Sequence, residues 1–414
     1  MDRIILHSDL NNFFASVECK LNPCIADKPV AVAGDETERH GIVLAKNFIA
    51  KRYGIKTGQT ICEARALCPD IIFVSPHYEL YEDFSRKARD IYKSYSDLVE
   101  PFGIDECWID VSLLTQNFKE AEAIAVEIKE KIKATLGITV SIGVSFNKIF
   151  AKLGSDIKKP DAVTVISPEN YKEVVWRLPV EDLLFVGKAT KKKFSSLSIK
   201  TIGDLANYPS EILEYTLGKN GIMLHRNANG LDVSPVTSIN QRTIIKSVSN
   251  STTPPRDIMT ESDARITLYA LCENVSSRMR RYGLICDTVK LGIRDRELRF
   301  AERQTKLDYP NRTAAALFDG AFSLLISNRF NEIPLRSIGV CASGISEDSS
   351  VQLSFSPDFI RLQRREELER TTDSIKAQYG SASIQRGVMF TRSDLAINFA
   401  VNRTSFGSDA RLNV

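Results

Sequence analysis

Residues 101–112 read PFGIDECWIDVS, two apolar stretches around the acidic pair Asp105–Glu106. This pattern fits a β-hairpin whose turn presents carboxylates. Working outward, MDRIILHSDL at 1–10 is a strand ending at Asp9, and NNFFASVECKL is a helix with Phe14, Val17 and Leu21 on one apolar face. KPVAVAG at 28–34 and GIVLAK at 41–46 read as a strand pair, and IIFVSP at 71–76 as a further strand. A long amphipathic helix covers roughly 78–97, and KEAEAIAVEIKEKIKA at 119–134 repeats apolar residues at 124, 128 and 132. TVSIGVS is a strand, NKIFAKLGSDI a helix and AVTVIS a strand. Two strand–helix–strand units sharing one sheet, with an insertion after the first strand, is the expected arrangement.

The later chain extends this alternation. Lysine-rich helical material spans about 171–230, and LDVSPVTSINQRTI has the turn and polar content of a linker. A second domain then shows helices near 261–282 and 313–327 and strands near 286–294 and 335–343. The last seventy or so residues are less regular, apart from a charged helix candidate at 361–378.

A chain of 414 residues suits two to four domains, and 43% hydrophobic with 26% charged residues is ordinary for a globular protein. No run approaches the length of a membrane span, and the N-terminus meets acid and amide residues too early for a signal peptide, so a cytoplasmic protein is expected. Eight cysteines at 19, 24, 62, 68, 107, 272, 286 and 341 form no Cys-x-x-Cys pair, and the four histidines are scattered. Clustered soft ligands for zinc or iron–sulfur are therefore missing, whereas a hard-cation site built from carboxylates stays open. The formal charge of +3 excludes a histone-like global attraction to nucleic acid but leaves local basic surfaces free to bind phosphate.

If the strands ending at Asp9 and flanking Asp105–Glu106 are neighbours, three carboxylates converge on one edge. Such a cluster is costly without cations and useful with two Mg²⁺ ions in phosphoryl transfer. The plainer reading makes Asp9 a helix cap and Asp105–Glu106 a solvated turn. Lys148 and Lys152 share a helix face, Lys152 being readable as mere helix support, and Lys159 sits beside Pro160 at a turn where an ammonium can reach phosphate.

Five ordered stretches resemble the Y-family, translesion DNA polymerases of the bacterial DinB/UmuC type. They are HSDLNNFFASVE, GIVLAKNFIAKRYGIKTG, FGIDECWIDVS, SIGVSFNKIFAKLGSDIKKP and LLFVGKATKKKFSSLSIKTIGDLA, and the likeness runs from residue 1 to about 345. The resemblance implies an α+β right-hand polymerase with a ferredoxin-like palm at 1–10 and 78–170 and fingers at 11–77. A thumb with a helix–hairpin–helix at 171–232, a linker at 233–245, a DNA-binding α/β little finger at 246–345 and a tail at 346–414 complete it.

By the same resemblance Asp9, Asp105 and Glu106 hold two Mg²⁺, with the Leu10 carbonyl as a further ligand. Phe14 matches the steric gate, whose ring leaves no room for a ribose 2′-hydroxyl; a core aromatic is its plainer role. Phe48, Lys51 and Lys159 align with triphosphate contacts, but the family commonly has Tyr and Arg where this chain has Phe48 and Lys51. A phenyl ring donates no hydrogen bond and Lys lacks the planar fork of Arg, so nucleotide binding is expected to be weaker or rearranged.

The expected partners are primer–template DNA and deoxynucleoside triphosphates, for a low-fidelity monomeric enzyme that bypasses damaged template bases. Gly187 with Lys188, Lys191, Lys192 and Lys193 resembles the thumb hairpin, although only one of its two usual glycines remains. Across 278–303 stand eight basic residues (278, 280, 281, 290, 294, 296, 299 and 303) against four acidic, with Lys290 and Arg294 alternating with Val289, Leu291 and Ile293. QLSFSPD at 352–358 resembles a degraded sliding-clamp peptide through Gln352, Leu353 and Phe355, and reads equally as a polar linker. Two other functions compete: a non-catalytic DNA-binding accessory on the same fold, against which all three carboxylates stand, and a palm-fold cyclase, which has no use for the basic surfaces.

Overall fold

The computed structural model describes residues 3–35, 41–238, 244–347, 357–380, 383–392 and 394–395. The chain divides into two compact units, residues 1–33 with 42–241 and residues 34–41 with 242–414.

The first unit begins with β1 (Ile5–Leu10), α1 (Phe13–Leu21), β2 (Val30–Ala33), β3 (Val43–Lys46), α2 (Phe48–Arg52), α3 (Ile61–Leu67) and β4 (Ile72–Val74). It continues through α4 (Tyr78–Lys93), β5 (Val99–Pro101), β6 (Glu106–Asp110), α5 (Phe118–Leu136), β7 (Val140–Ser145), α6 (Lys148–Ile157) and β8 (Val163–Ile166). The main sheet has the order β5-β6-β1-β7-β8, antiparallel except for the parallel β7–β8 edge. Its first four strands are the split βαβ arrangement, in which each half contributes a strand between the other half's pair. The paired strands β2 and β3 join β4 in a separate small sheet of order β3-β2-β4.

The five-stranded sheet buries every residue of β1 and β7, as central strands covered on both faces must. One apolar layer comprises Leu6, Ile109, Val140, Ile142 and Val144 with Ala121, Ala125, Ile128 and Ile132 of α5. The buried stripe of α1 differs from the expected one. Phe13, Ala15 and Val17 are enclosed, Phe14 is half-buried and Leu21 is 51% exposed. Asn12 takes a left-handed conformation just before the helix, which starts it at Phe13 and turns Phe14 about 100° away from the core stripe.

A helical stretch follows in the same unit: α7 (Tyr171–Val175), α8 (Lys188–Ser196), α9 (Ile202–Ala206), α10 (Ser210–Leu217) and α11 (Lys219–Ala228). Phe150, Phe194, Ile202, Leu205, Leu213 and Leu224 belong to its core. Residues 231–238 form neither helix nor strand, as a linker composition predicts, yet they are tied down. Val236 is buried against Ile5, Trp108 and Ala151, and Thr237 N–H donates to Glu100 Oε2 at 2.8 Å.

The second unit runs β9 (Ser247–Thr252), α12 (Glu261–Arg281), β10 (Leu284–Asp295), β11 (Phe300–Asn311), α13 (Ala314–Ser327), β12 (Leu335–Glu347) and α14 (Pro357–Tyr379). Its antiparallel sheet has the order β11-β10-β12-β9. The edge strands β9 and β11 escaped the sequence reading because their composition is largely polar, SVSNST and FAERQTKLDYPN, with few alternating apolar residues. Val289, Leu291, Ile293, Ile338 and Val340 form one apolar face with α12 and α13, while Lys290, Gly292 and Arg294 lie on the other.

Candidate active site

Strand pairing brings the acidic residues together. Asp9 of β1 stands opposite Glu106 of β6, and Leu10 N–H donates to the Asp105 carbonyl at 3.0 Å. The hairpin turn is braced by α4: Arg89 donates to the Gly103 carbonyl at 2.9 Å, and the Ser85 hydroxyl donates to that of Ile104. Asp9 is 6% exposed and Asp105 and Glu106 are half-buried, so the plain reading of a helix cap and a solvated turn fails for this group.

Helix α6 supplies the counter-charge. It approaches β7 so closely at Gly143 that a Cβ there would lie 1.9 Å from the Ala151 carbonyl oxygen. From this position Lys152 Nζ lies 2.7 Å from Glu106 Oε2, and Lys159, just beyond the helix, lies 2.6 Å from Asp9 Oδ2. Lys152 is thus more than the helix support that its spacing allowed. Lys148 points elsewhere, to Glu100 at 2.6 Å and over the Trp108 ring, and anchors residues 235–237 rather than the acidic group.

The electrostatics are those of a crowded acidic site. Burial, opposed by Lys159 and reinforced by Glu106, lifts the Asp9 carboxyl to about 7. Burial and the Glu106 charge likewise raise Asp105 to about 6. Glu106 is also penalised by burial, but His7 and Lys152 outweigh that penalty and hold it at about 2. Among the described residues no three His, Cys, Asp or Glu side chains already close around one point as a metal cage. The donor set nevertheless suits a hard divalent cation: carboxylate oxygens, partly desolvated, whose excess charge is met here by two lysine ammoniums.

Sequence reasoning missed His7, Ser155, Ser85, Arg89 and Asn47. The alternation of His7 and Asp9 along one strand was a usable signal, since both project from the same face. The others become visible only through long-range contacts.

Phe14 stacks on Tyr81 at 4.2 Å between ring centroids and 11° between planes, with Tyr78 edge-on. Phe48 and Lys51 lie on α2, outside the hydrogen-bonded carboxylate–lysine group. That helix is fastened by Asn47, whose Oδ1 accepts from Ala50 and Val30 N–H and whose amide donates to the Lys28 carbonyl.

The basic positions are partly redistributed. Gly187 is the N-cap of α8; Phe185, two residues earlier, holds the left-handed φ of +73° in place of the missing glycine. Lys188, Lys191, Lys192 and Lys193 are exposed, with Lys191 paired to Glu181 and Lys193 bonded to the Thr216 carbonyl. Half of the eight basic residues at 278–303 are spent inside the second unit. Arg278 is buried and donates to the Ser249 carbonyl, while Arg280 pairs with Glu369 and Asp373 of α14. Arg296 and Arg299 pair with Asp257 and Asp295. Lys290 is half-buried, 3.8 Å from Glu302, and Arg294 is exposed. Gln352, Leu353 and Phe355 lie outside the described residues.

Fold and acidic site together define a nucleotidyl-transfer palm. Residues 8–156 match the impB/mucB/samB family model, 245–355 that family's C-terminal domain, and 181–232 the DNA polymerase-iota thumb domain. The chain is 47% identical over 390 residues to DNA polymerase IV of Acetivibrio thermocellus, covering 94% of this chain and 98% of the relative. It is 38% identical to DNA polymerase IV of Pelotomaculum thermopropionicum, covering 94% of this chain and 95% of that one. A solved Y-family DNA polymerase chimera superposes with a TM-score of 0.73 at 25% identity, over 83% of this chain and 99% of the other. The chain belongs to the impB/mucB/samB family of Y-family DNA polymerases. Its fold is the right hand: a ferredoxin-like palm, small fingers, a helical thumb and a separate α/β little finger. Membership carries a dependence on a divalent cation. Among the described residues no helix is long and apolar enough to cross a membrane.

Proposed function

We propose that this chain is a DNA-directed, translesion DNA polymerase that joins deoxynucleotides to a primer 3′-hydroxyl with low fidelity and bypasses damaged template bases. The observation carrying the reading is the convergence of Asp9, Asp105 and Glu106 on neighbouring strands, with Lys159 against Asp9, in a chain 47% identical to a DNA polymerase IV. Asp9, Asp105, Glu106 and the Leu10 carbonyl would hold two Mg²⁺ ions. When bound, these would lower the pKa of the 3′-hydroxyl and stabilise the charge of the departing pyrophosphate.

The protein's own groups do the positioning. Lys159 would exchange its contact with Asp9 for a phosphate oxygen of the incoming triphosphate, with Lys51 as a point charge and Phe48 as an apolar wall. Phe14, braced by Tyr81, would lie beneath the deoxyribose and exclude a 2′-hydroxyl. Gly187 and the lysines of α8 would meet duplex phosphates, and so would Lys290 and Arg294 on the open face of the little finger. Such contacts hold DNA without reading its sequence. The palm, fingers, thumb and little finger would follow the boundaries expected from sequence. The enzyme would act as a monomer in the cytoplasm on nucleoid DNA, tethered to a sliding clamp through Gln352, Leu353 and Phe355.

Primer extension with Mg²⁺ tests the assignment. Template-dependent extension is expected from the wild type and is lost in Asp105→Ala/Glu106→Ala. Equal activity in both would remove the catalytic centre from these residues, and inactivity of both on DNA that they bind would favour an accessory role.

A further inference from the structure

Lys159 reaches Asp9 from a short connection. Helix α6 ends at Ile157 and β8 begins at Val163, and residues 158–162 make the crossing between them. A lysine has a long flexible stem, so its aim at a ligand depends on what holds the backbone beneath it. Its ammonium lies 2.6 Å from Asp9 and 2.6 Å from Asp156. The first contact is the one that a triphosphate would take over, so it cannot steady the loop once substrate is bound.

Other anchors meet at Asp161, two residues on. Its backbone takes a left-handed φ of +54°, a conformation that Asp tolerates better than most residues. Lys133 Nζ lies 2.8 Å from its Oδ2 and Lys129 Nζ 3.3 Å from its Oδ1. These lysines follow Ile128 and Ile132, both fully buried, so the packing of α5 on the sheet fixes where they emerge, one turn apart on one edge. Two ammoniums at that spacing repel each other, and a carboxylate bridging them removes the cost. Lys129 also meets Glu130 at 2.8 Å.

The backbone of Asp161 is caught as well. Asn11 directly follows β1 and is 2% exposed. With its amide nitrogen donating to the Ser141 hydroxyl at 2.9 Å, its oxygen accepts from Asp161 N–H at 3.1 Å and Val140 N–H at 3.2 Å. The opposite orientation would turn the amide N–H groups toward two backbone donors in a buried place, which is why this one is adopted. The Ala162 carbonyl then accepts from Ile142 N–H at 2.9 Å. These anchors come from α5, β7 and the residue after Leu10, not from the carboxylates of the acidic site. They stay in place when Lys159 leaves Asp9.

We propose that Asp161, clamped by Lys129 and Lys133 of α5, is a positioning residue for nucleotide binding: it fixes loop 158–162 so that Lys159 stays aimed at the incoming triphosphate. The inference rests on reading Lys159 as a triphosphate contact.

Single-nucleotide steady-state kinetics on the full chain, arranged as a double-mutant cycle, tests it. Asp161→Asn keeps the side-chain size and the tolerance for a left-handed backbone but removes the charge. It is expected to raise KM for deoxynucleotides about three- to fivefold with kcat within about twofold of wild type. Lys129→Met/Lys133→Met, which leaves the loop itself untouched, should do the same. In a Lys159→Ala background neither change should raise KM further, because the loop then has no ammonium to aim. An effect of Asp161→Asn that persists undiminished in that background would overturn the proposal, since Asp161 would then act independently of Lys159. So would a loss of duplex-DNA binding in Asp161→Asn, which would reassign the residue to folding. A raised KM in Lys159→Ala beside a wild-type KM in Asp161→Asn removes this inference alone, whereas an unchanged KM in Lys159→Ala removes the reading of Lys159 and the inference with it.

Discussion

Lys159 donates to Asp9 across 2.6 Å, and the same ammonium lies 2.6 Å from Asp156. A cation just beyond α6 thus offsets a carboxylate on the first palm strand that burial disfavours as an anion, and on the proposed reading a triphosphate would compete for it. Lys159→Ala is expected to raise KM for deoxynucleotides about tenfold or more, with a smaller change in kcat. Steady-state kinetics with a single nucleotide decides this; an unchanged KM would detach Lys159 from substrate.

The 4.2 Å stack of Phe14 on Tyr81 makes the proposed sugar floor rigid. Phe14→Ala should increase ribonucleotide incorporation relative to deoxyribonucleotide by on the order of tenfold or more. Competition between the two nucleotides on one template measures the ratio. A ratio equal to that of wild type would leave Phe14 with only a packing role.

Gly143 allows α6 to seat on β7. Gly143→Ala places a methyl 1.9 Å from a backbone carbonyl, so the helix that carries Lys152 and Ser155 must move. A cost of about 1–3 kcal/mol and a lowered Tm are expected. Gly187→Ala is the matched control: nothing lies within 4 Å of the added carbon and φ is −82°, so it should cost no more than about 1 kcal/mol. Equal destabilisation by the two substitutions would contradict the close-approach explanation.

In the second unit Asp263 is 1% exposed; its carboxylate accepts from Arg256 at 3.0 and 3.1 Å and from Met259 N–H at 3.3 Å, while its backbone N–H donates to Thr260 Oγ1 at 3.1 Å. Arg256 above all holds its carboxyl down at about 2 against the opposing effect of burial. A depressed acid stabilises the fold above its unfolded pKa near 4, and that contribution disappears as pH falls toward 2. Asp263→Asn should therefore lose roughly 2 kcal/mol at neutral pH and progressively less below pH 4. Chemical denaturation monitored in the little finger at both pH values checks the sign; a deficit that grows on acidification would refute it.

Much of this protein was legible along the chain because short-range patterns carry its elements. Alternation at Val289, Leu291 and Ile293 marks β10, the 124, 128 and 132 repeat marks α5, and the acids at 105–106 mark a hairpin turn. The lesson fails at polar edges: β9 and β11 bury too little on either face to show a period, and only their partners β12 and β10 make them strands. It also fails for charge. The eight basic residues at 278–303 suggested one surface, yet Arg278 is buried and Arg280, Arg296 and Arg299 are paired, Arg280 and Arg296 with acids distant in sequence.

By itself, then, the amino-acid sequence determined the elements with a clear apolar period, the order of the polymerase motifs and the three acids proposed for the centre. Tertiary structure decided which groups neutralise those acids. Lys152 and Lys148 share a helix face, yet one meets Glu106 and the other Glu100; His7, 3.3 Å from Glu106, also meets Ser155, 148 positions away in the chain. Periodicity is a property of neighbouring residues, whereas the partner of a buried charge is set by how closely α6 can approach the sheet at Gly143.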